Sequence, residues 1–271
     1  MKRLFCISIF AILMVNCKNK GTTYNDPIPK HESLTVTSKL LNEDRIINIW
    51  TPPNYSQSTD SLTVVYMPDG GIKEDFPHIA NTISELVENG KIPPVILVGI
   101  ENTERKRDLT GATENEEDKK IAPNVGKSTE FRAFIQDELK PEINKKYRTK
   151  NYDGIIGESL AGLFVVETLE LEPETFDFYI AMDPALWWNN QSLVKNAKDN
   201  FKNNSGDKMK KFWFAGSSVQ KETPFITELS EIIKTEQPKN IIWKYSDEPN
   251  EQHNTIFRAT KEKALIWSLN E

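Results

Sequence analysis

Residues 151–167, NYDGIIGESLAGLFVVE, decide how this chain folds. A short apolar run meets the segment Gly157-Glu158-Ser159-Leu160-Ala161-Gly162, and an apolar segment compatible with a helix follows at once. Strand, abrupt turn and helix in so few residues are typical of a nucleophile elbow, which holds a serine in a strained turn. The residues two positions before and after such a serine must be small, as Gly157 and Ala161 are. We therefore predict Ser159 as a nucleophile; the alternative is an ordinary glycine-rich turn.

Composition indicates one compact globular domain. The chain has 271 residues, of which 38% are hydrophobic and 27% charged, and this is enough for a sizeable core. The net charge of -6, without a basic patch, argues against a nucleic-acid partner. The two cysteines, Cys6 and Cys17, both precede the folded part, so we predict no disulfide there and no cysteine metal site. No metal or cofactor is expected.

The N-terminus has the pattern of an export signal. Lys2-Arg3 precede the apolar segment 4–15, which is too short to span a bilayer. Cys17 follows Leu13-Met14-Val15-Asn16, which looks like a bacterial lipobox, although Asn16 is bulkier than usual. We predict a lipoprotein signal at 1–16, lipidation of Cys17, a flexible tether at 17–30 and a single folded domain at 31–271. The expected location is the outer membrane or periplasm, and the alternative is a plain secretory signal.

Apolar runs alternate with helical patterns along the rest of the chain. This alternation predicts an α/β fold with a mostly parallel sheet, helices on both faces and ligands at the carboxyl ends of strands. A hairpin is expected to open the domain, and the charged segment 101–127 is predicted to be a loop over the sheet edge. The predicted strands are 34–41, 45–50, 62–67, 95–100, the run before the elbow, 178–182, 212–215 and 241–245. The predicted helices are 77–89, 129–147, 160–171, 225–234 and 255–270.

One histidine is placed to serve as the general base. The chain has three histidines, and only His253 follows Ser159. In a hydrolase with a nucleophile elbow, the chain order is nucleophile, acid, histidine. His253 lies in a polar loop after the last predicted strand, at the sheet edge where the base must be to reach the serine.

The acid that would orient the histidine has several candidates. It should follow the predicted strand 212–215, and Glu222 is the first carboxylate in that loop. Glu251 and Glu248 lie near the histidine in sequence, and Asp183 follows an earlier strand. We predict Glu222, with a Ser–His dyad oriented by a backbone carbonyl as a further alternative.

The ordered set of motifs resembles the bacterial "putative esterase" group of α/β-hydrolases, which contains enterochelin-type siderophore esterases and feruloyl or acetyl-xylan esterases. The resemblance covers nearly the whole mature chain, and the order of the motifs makes it specific. The motifs are Tyr66-Met67-Pro68-Asp69-Gly70-Gly71, Gly99-Ile100-Glu101-Asn102 leading to Arg107-Asp108-Leu109-Thr110, Phe131 through Tyr147-Arg148-Thr149, Gly157-Glu158-Ser159-Leu160-Ala161-Gly162-Leu163-Phe164, Ala185-Leu186-Trp187-Trp188-Asn189-Asn190 and Glu251-Gln252-His253.

The resemblance implies roles for several positions. It implies that Ser159 is the nucleophile and His253 the base, with the backbone N–H groups of Gly71 and Leu160 forming the oxyanion hole. The sequence departs from the family in two places. Val219-Gln220 stand where an acidic residue is common, and Glu158 stands where histidine or glutamine is more usual.

Four further residues are predicted to face the substrate. Arg107 and Asp108 lie in the segment over the strand ends, and Arg107 has the chemistry to clamp a carboxylate or phenolate oxygen. Trp187 and Trp188 directly follow a strand, and their faces suit an aromatic ring or a sugar. The alternatives are an internal Arg–Asp ion pair and aromatic packing.

Two functions follow from these patterns. The first is a secreted or membrane-anchored serine esterase that hydrolyses a siderophore, feruloyl or acetyl sugar ester through an acyl-enzyme. The second is a catalytically degenerate surface lipoprotein of the same fold that binds a ligand, and the missing acid in its usual place favours it. In both, the membrane is contacted only through the lipid anchor.

Overall fold

The computed structural model describes residues 25–121, 124–203, 206 and 208–270. The strands are β1 Glu32–Ser38, β2 Glu43–Trp50, β3 Leu62–Pro68, β4 Val95–Ile100, β5 Thr149–Glu158, β6 Phe178–Met182, β7 Lys210–Gly216 and β8 Ile241–Asp247. They form one eight-stranded sheet in the order β1-β2-β4-β3-β5-β6-β7-β8. β1 and β2 form the predicted hairpin, β2 also pairs antiparallel with β4, and all the remaining pairs are parallel. The predicted mostly parallel α/β sheet is therefore confirmed.

Helices cover both faces of the sheet, as the sequence predicts. Because neighbouring residues of a strand point to opposite faces, Val64 and Tyr66 of β3 enter one buried cluster while Val65 and Met67 enter another. The helices are α1 Phe76–Glu88, α2 Arg105–Leu109, α3 Glu116–Ile121, α4 Ser128–Ala133, α5 Lys140–Lys146, α6 Leu160–Leu171, α7 Trp188–Asn203, α8 Phe225–Glu236 and α9 Ile256–Leu269. The second cluster contains side chains of α1 and α9, and the first contains those of α4 to α8.

Three helical segments differ from the predictions. The predicted loop 101–127 contains the short helices α2 and α3, and α7 was not predicted at all. The predicted helix 129–147 is α4, a π-helical segment Phe134–Leu139 and α5 in direct succession. α2, α3 and α7 are rich in charged or polar residues, so their sequences give no clear apolar stripe from which a helix could be predicted.

The predicted signal segment and Cys17 lie outside the described residues. Residues 25–30 at the end of the predicted tether are described, and Asp26 and Pro27 contact the domain. Asp26 pairs with Arg258 of α9, with 3.0 Å between Arg258 Nη1 and Asp26 Oδ1, and Asn81 donates to the Pro27 carbonyl at 2.8 Å. In the part of the chain that the structure describes, no helix is both long and apolar enough to cross a membrane.

Candidate active site

The turn between β5 and α6 has the geometry that its sequence predicts. Ser159 has φ 60° and ψ -117°, a conformation that is strained for a residue with a side chain. Its N–H donates to the Met182 carbonyl at 3.0 Å, and its carbonyl accepts from the Ala185 N–H at 3.0 Å. Gly157 must lack a side chain, because a Cβ there would lie 2.6 Å from the backbone carbonyl carbon of Ala161. These contacts hold Ser159 at the carboxyl edge of the sheet.

Three side chains form a continuous hydrogen-bonded chain at this edge. Ser159 Oγ lies 3.1 Å from His253 Nε2, and His253 Nδ1 lies 2.6 Å from Asp183 Oδ2. Asp183 directly follows β6, the neighbour of β5, and its side chain is only 3% exposed. The arrangement of hydroxyl, imidazole and carboxylate is that of a serine nucleophile, its general base and the acid that orients the base.

The pKa shifts of Asp183 and His253 favour proton transfer from Ser159 to His253. Burial opposes ionisation of Asp183, but hydrogen bonds from His253 and Ser217 outweigh it and lower the pKa of the carboxyl group. The hydrogen bond to Asp183 raises the pKa of His253, against the opposing effect of burial. An ionised Asp183 therefore holds the Nδ1 proton and leaves Nε2 facing the serine.

The prediction that Glu222 is the acid is wrong, because Asp183 accepts the hydrogen bond from His253. Glu222 lies at the end of the short 3₁₀ turn Ser218–Lys221, where its side chain is exposed. Of the predicted rivals, Glu248 accepts from Ser246 Oγ at 2.6 Å and Glu251 accepts from Thr255 Oγ1 at 2.7 Å.

Ser217 is the residue that the loop after β7 contributes, and the sequence did not point to it. Its N–H donates to Asp183 Oδ1 at 2.9 Å, and its hydroxyl donates to Asp183 Oδ2 at 2.7 Å. The loop in which the acid was predicted thus supplies the hydrogen bonds that fix the acid of the neighbouring strand. The available signal for Asp183 was an aspartate directly after a fully buried strand.

The two predicted oxyanion donors lie on elements next to the nucleophile, because β3 pairs with β5. Leu160 begins α6 directly after the serine, and Gly71 lies in the loop after β3. That loop lies close to β4, because Gly70 has no side chain; a Cβ there would be 2.2 Å from the Ile100 nitrogen. The Gly71 N–H donates to Glu74 Oε2 at 2.7 Å. The Gly71 N–H, one of the two predicted oxyanion donors, is thus already bound by a carboxylate oxygen.

Glu74 is anchored by more than this one hydrogen bond. Asn102 Nδ2 donates to Glu74 Oε1 at 2.9 Å and to Asp69 Oδ1 at 2.5 Å. Burial raises the pKa of Glu74, although the hydrogen bonds from Gly71 and Asn102 oppose the rise. Arg105, a residue that the sequence did not single out, donates two hydrogen bonds to Asp69, from Nε to Oδ1 at 2.6 Å and from Nη2 to Oδ2 at 2.7 Å. The loops after β3 and β4 are therefore cross-linked beside the serine.

Arg107 and Asp108 belong to an internal ion-pair network, so the prediction that they face the substrate is wrong. Arg107 Nη2 donates to Glu43 Oε1 at 2.6 Å, and its Nε donates to Asp108 Oδ1 at 2.7 Å. Asp108, 1% exposed, also accepts from Arg45 Nη2 at 2.6 Å. This network joins α2 to the β1–β2 hairpin, which is the alternative that the sequence left open.

The two tryptophans separate into one exposed and one buried residue. Trp187 is 40% exposed and lines a small cavity of about 40 Å³ together with Asp183 and His253. Trp188 is 5% exposed, and its Nε1–H donates to the Gly111 carbonyl at 3.0 Å. Only Trp187 therefore remains available to a substrate. Among the described residues, no three His, Cys, Asp or Glu side chains are grouped so as to hold a metal ion.

Comparison with known proteins identifies relatives over most of the chain. The family model described as "Putative esterase" matches residues 38–269. Ferri-bacillibactin esterase BesA of Bacillus subtilis (strain 168) is 32% identical over 198 residues, 65% of this chain and 66% of that protein. Siderophore enterobactin esterase of Emericella nidulans is 34% identical over 76 residues, 27% of this chain and 25% of that protein. The chain thus matches just under two thirds of the length of the B. subtilis relative and about a quarter of the length of the E. nidulans relative.

Solved structures share the same fold. The IroE-like serine hydrolase from Shewanella oneidensis superposes with a TM-score of 0.77 at 26% identity, covering 89% of this chain and 79% of that one. The BES protein from Bacillus cereus gives a TM-score of 0.77 at 22% identity, covering 92% of this chain and 99% of that one. The predicted fold, a single-domain α/β-hydrolase, is confirmed.

The ion-pair network gives a prediction about stability. Asp108→Asn should lower the free energy of unfolding by about 2–3 kcal/mol, because it leaves the buried Arg45 guanidinium with less compensating charge. Urea denaturation followed by circular dichroism measures this loss. Glu231→Gln, which breaks an exposed pair with Lys234, should leave stability unchanged within error. A fully stable Asp108→Asn variant with a raised KM would instead make Asp108 a substrate contact.

Proposed function

This chain belongs to the family described as "Putative esterase", and we propose that it is a serine esterase that hydrolyses a siderophore-type carboxylic ester. The observation that carries the proposal is the hydrogen-bonded chain from Ser159 through His253 to Asp183 at a strained strand-to-helix turn. Each of the three residues follows a different strand, and all three meet at the carboxyl edge of one sheet, where α/β enzymes bind their ligands.

The geometry suits hydrolysis through an acyl-enzyme. Ser159 Oγ attacks the ester carbonyl carbon while its proton passes to His253 Nε2, which lies 3.1 Å from Oγ. The ionised Asp183 stabilises the imidazolium through Nδ1. His253 then gives the proton to the departing alcohol oxygen as the bond between carbonyl carbon and alkoxy oxygen breaks. Water, deprotonated by the same nitrogen, attacks the acyl group and releases Ser159.

The developing oxyanion is proposed to accept hydrogen bonds from the Gly71 and Leu160 N–H groups. Leu160 directly follows Ser159 at the start of α6, and Gly71 lies on the loop after β3, the strand that pairs with β5. The Gly71 N–H donates to Glu74 in this structure, so the carbonyl oxygen of the substrate must displace that carboxylate. The displacement costs one hydrogen bond, and the charged oxyanion of the transition state restores one to the same donor.

The siderophore-type substrate rests on the names of the relatives. The B. subtilis relative is a ferri-bacillibactin esterase and the E. nidulans relative a siderophore enterobactin esterase. Trp187, half-exposed beside His253, offers an aromatic face to the acyl or alcohol group of such an ester. Feruloyl and acetyl sugar esters remain substrates to be compared in the same assay.

The alternative function, a catalytically degenerate binding protein, loses the observation that favoured it. It rested on the missing acid after β7, and Asp183 after β6 stands in hydrogen-bond contact with His253 instead. The described residues therefore carry all three groups that an active serine esterase requires.

We also propose that the protein is exported and held at a membrane by a lipid on Cys17. The support is in the sequence: Lys2-Arg3, the apolar segment 4–15 and Cys17 after Leu13-Met14-Val15-Asn16. Two acyl chains suffice for stable anchoring, because each buried methylene contributes ~0.8 kcal/mol. The Asp26–Arg258 pair would leave only the residues between Cys17 and Asp26 as a spacer.

The esterase proposal predicts strongly non-additive losses of activity. Ser159→Ala and His253→Ala should each lower kcat on enterobactin by on the order of 10³-fold or more, and the double variant should lose little further, because the two residues act as one unit. Liquid chromatography of the released catechol-serine fragments measures the rate. Feruloylated sugar and acetylated xylan serve as comparison substrates. Near-wild-type turnover in either single variant would refute the mechanism.

The assignment of the acid predicts a contrast between two conservative substitutions. Asp183→Asn should lower kcat by roughly 10²- to 10⁴-fold while the protein remains folded, because the imidazolium loses its ionised partner. Glu222→Gln, which changes an exposed carboxylate, should retain kcat within about twofold. The reverse order of the two effects would restore Glu222 as the acid.

The anchoring proposal predicts a change of cell fraction. Cys17→Ala should move the protein from the membrane fraction to the soluble exported fraction, with its specific esterase activity unchanged. Fractionation followed by immunoblotting measures the distribution. Intact-mass spectrometry of the wild-type protein gives the decisive control: an unmodified N-terminus at any residue other than Cys17 rules the anchor out.

A further inference from the structure

A second carboxylate faces the catalytic nitrogen of His253. Glu158 is the last residue of β5 and directly precedes Ser159. Its Oε1 lies 3.9 Å from His253 Nε2, the same nitrogen that lies 3.1 Å from Ser159 Oγ. The Glu158 side chain is only 18% exposed, so water screens the interaction less than it would at the surface. Asp183 thus contacts one ring nitrogen while Glu158 faces the other.

Three charged groups besides His253 act on the Glu158 carboxylate: Arg105 lowers its pKa, whereas Asp75 and Asp69 raise it. Arg105 is the nearby cation, and its guanidinium is engaged by both oxygens of Asp69. Asp75, a second nearby anion, lies 3.1 Å from His78 Nε2. Within the described part of the chain, no side chain donates a hydrogen bond to Glu158. His253 in turn is faced by Asp183, Glu158 and Arg105.

From this geometry we propose that Glu158 is a positioning residue that acts through His253. Its carboxylate, which faces Nε2, stabilises the protonated imidazolium, and it thereby sets the pH at which His253 loses its proton and can act as the base. The inference rests on the proposed esterase function for its kinetic consequence. The charge coupling between Glu158 and His253, on which the inference is based, does not depend on the substrate.

Proton affinities in the site agree with such a coupling. Burial raises the pKa of Glu158 to about 7, against the opposing attraction of His253. The Asp183 hydrogen bond raises the pKa of His253, and Glu158 adds to that rise. Because each of the two groups shifts the pKa of the other, their titrations are those of a coupled pair. When the pair holds one proton, the ionised carboxylate favours its place on the imidazole.

The coupling has two opposite effects on hydrolysis. While the pair holds one proton, the ionised Glu158 keeps that proton on His253, which cannot then accept the serine proton, so the rise of kcat/KM begins at higher pH than it would without Glu158. Once that proton is lost, His253 is neutral and Glu158 is ionised. The carboxylate then stabilises the imidazolium that forms in the transition state, which raises the plateau of kcat/KM.

The direct test is a nuclear magnetic resonance titration of the histidine ring signals. The chain has only three histidines, and His253→Ala assigns the relevant signal. Glu158→Gln should lower the pKa of His253 by about one unit, because an opposite charge within about 4–6 Å shifts a pKa by this order. Glu251→Gln is the matched control, since Glu251 is held by Thr255, and it should leave the titration unchanged. An unchanged or raised pKa in Glu158→Gln overturns the proposal.

The kinetic test separates this role from a merely structural one. In Glu158→Gln the acid limb of kcat/KM should move about one unit to lower pH, while the plateau falls by about threefold to tenfold. Glu158→Asp, which keeps the charge, should retain part of both effects and serves where the glutamine variant fails to fold. A lowered plateau with an unmoved limb in a folded variant overturns the proposal. If the wild-type protein hydrolyses no ester, only the proposed esterase function is refuted. The titration of His253 in Glu158→Gln still tests the charge coupling.

Discussion

The left-handed backbone of Ser159 is held in place by the carboxyl end of the neighbouring strand. The Ser159 N–H binds the Met182 carbonyl, and the Ser159 carbonyl binds the Ala185 N–H, so the elbow is fastened on both sides of Asp183. Asp183 is itself fixed by its N–H to the Ala215 carbonyl at 2.8 Å and by Ser217. The strain at the nucleophile and the position of the acid are thus maintained by one set of bonds across β5, β6 and β7. Disturbing any of these strand ends would move both groups together.

This arrangement explains which parts of the site could be predicted from sequence. The elbow is local. Strand, small residues and helix follow one another within residues 151–167, so consecutive residues determine its geometry. The parallel strands are buried on both faces and appear as continuous apolar runs such as Val95–Ile100. The acid is not local. Whether the carboxylate after β6 or one after β7 reaches His253 depends on which strand end lies closer, and a single sequence does not contain that distance.

The charged segment after β4 shows the same limit. Arg105 and Arg107 are two positions apart and chemically identical, yet one grips Asp69 beside the serine and the other is buried against Glu43 of the hairpin. Their partners are more than 30 and more than 60 positions away in the chain. α3 and the start of α7 likewise depend on distant contacts, since the Asn189 N–H donates to Asp118 Oδ2 at 2.8 Å. Segments stabilised by such contacts carry no periodic apolar pattern of their own.

Two carboxylates that the family pattern did not predict oppose each other in the reaction that we propose. Glu158 favours the transition state, because it faces the nitrogen that becomes positively charged. Glu74 favours the free protein, because it accepts a hydrogen bond from the Gly71 N–H, which we propose as a donor to the oxyanion. A substrate carbonyl must therefore compete with Glu74 before Ser159 attacks, whereas the benefit from Glu158 arrives only as the proton reaches His253. Since the first effect weakens binding of the ground state and the second lowers the barrier, the acidity of this site acts against affinity and in favour of turnover.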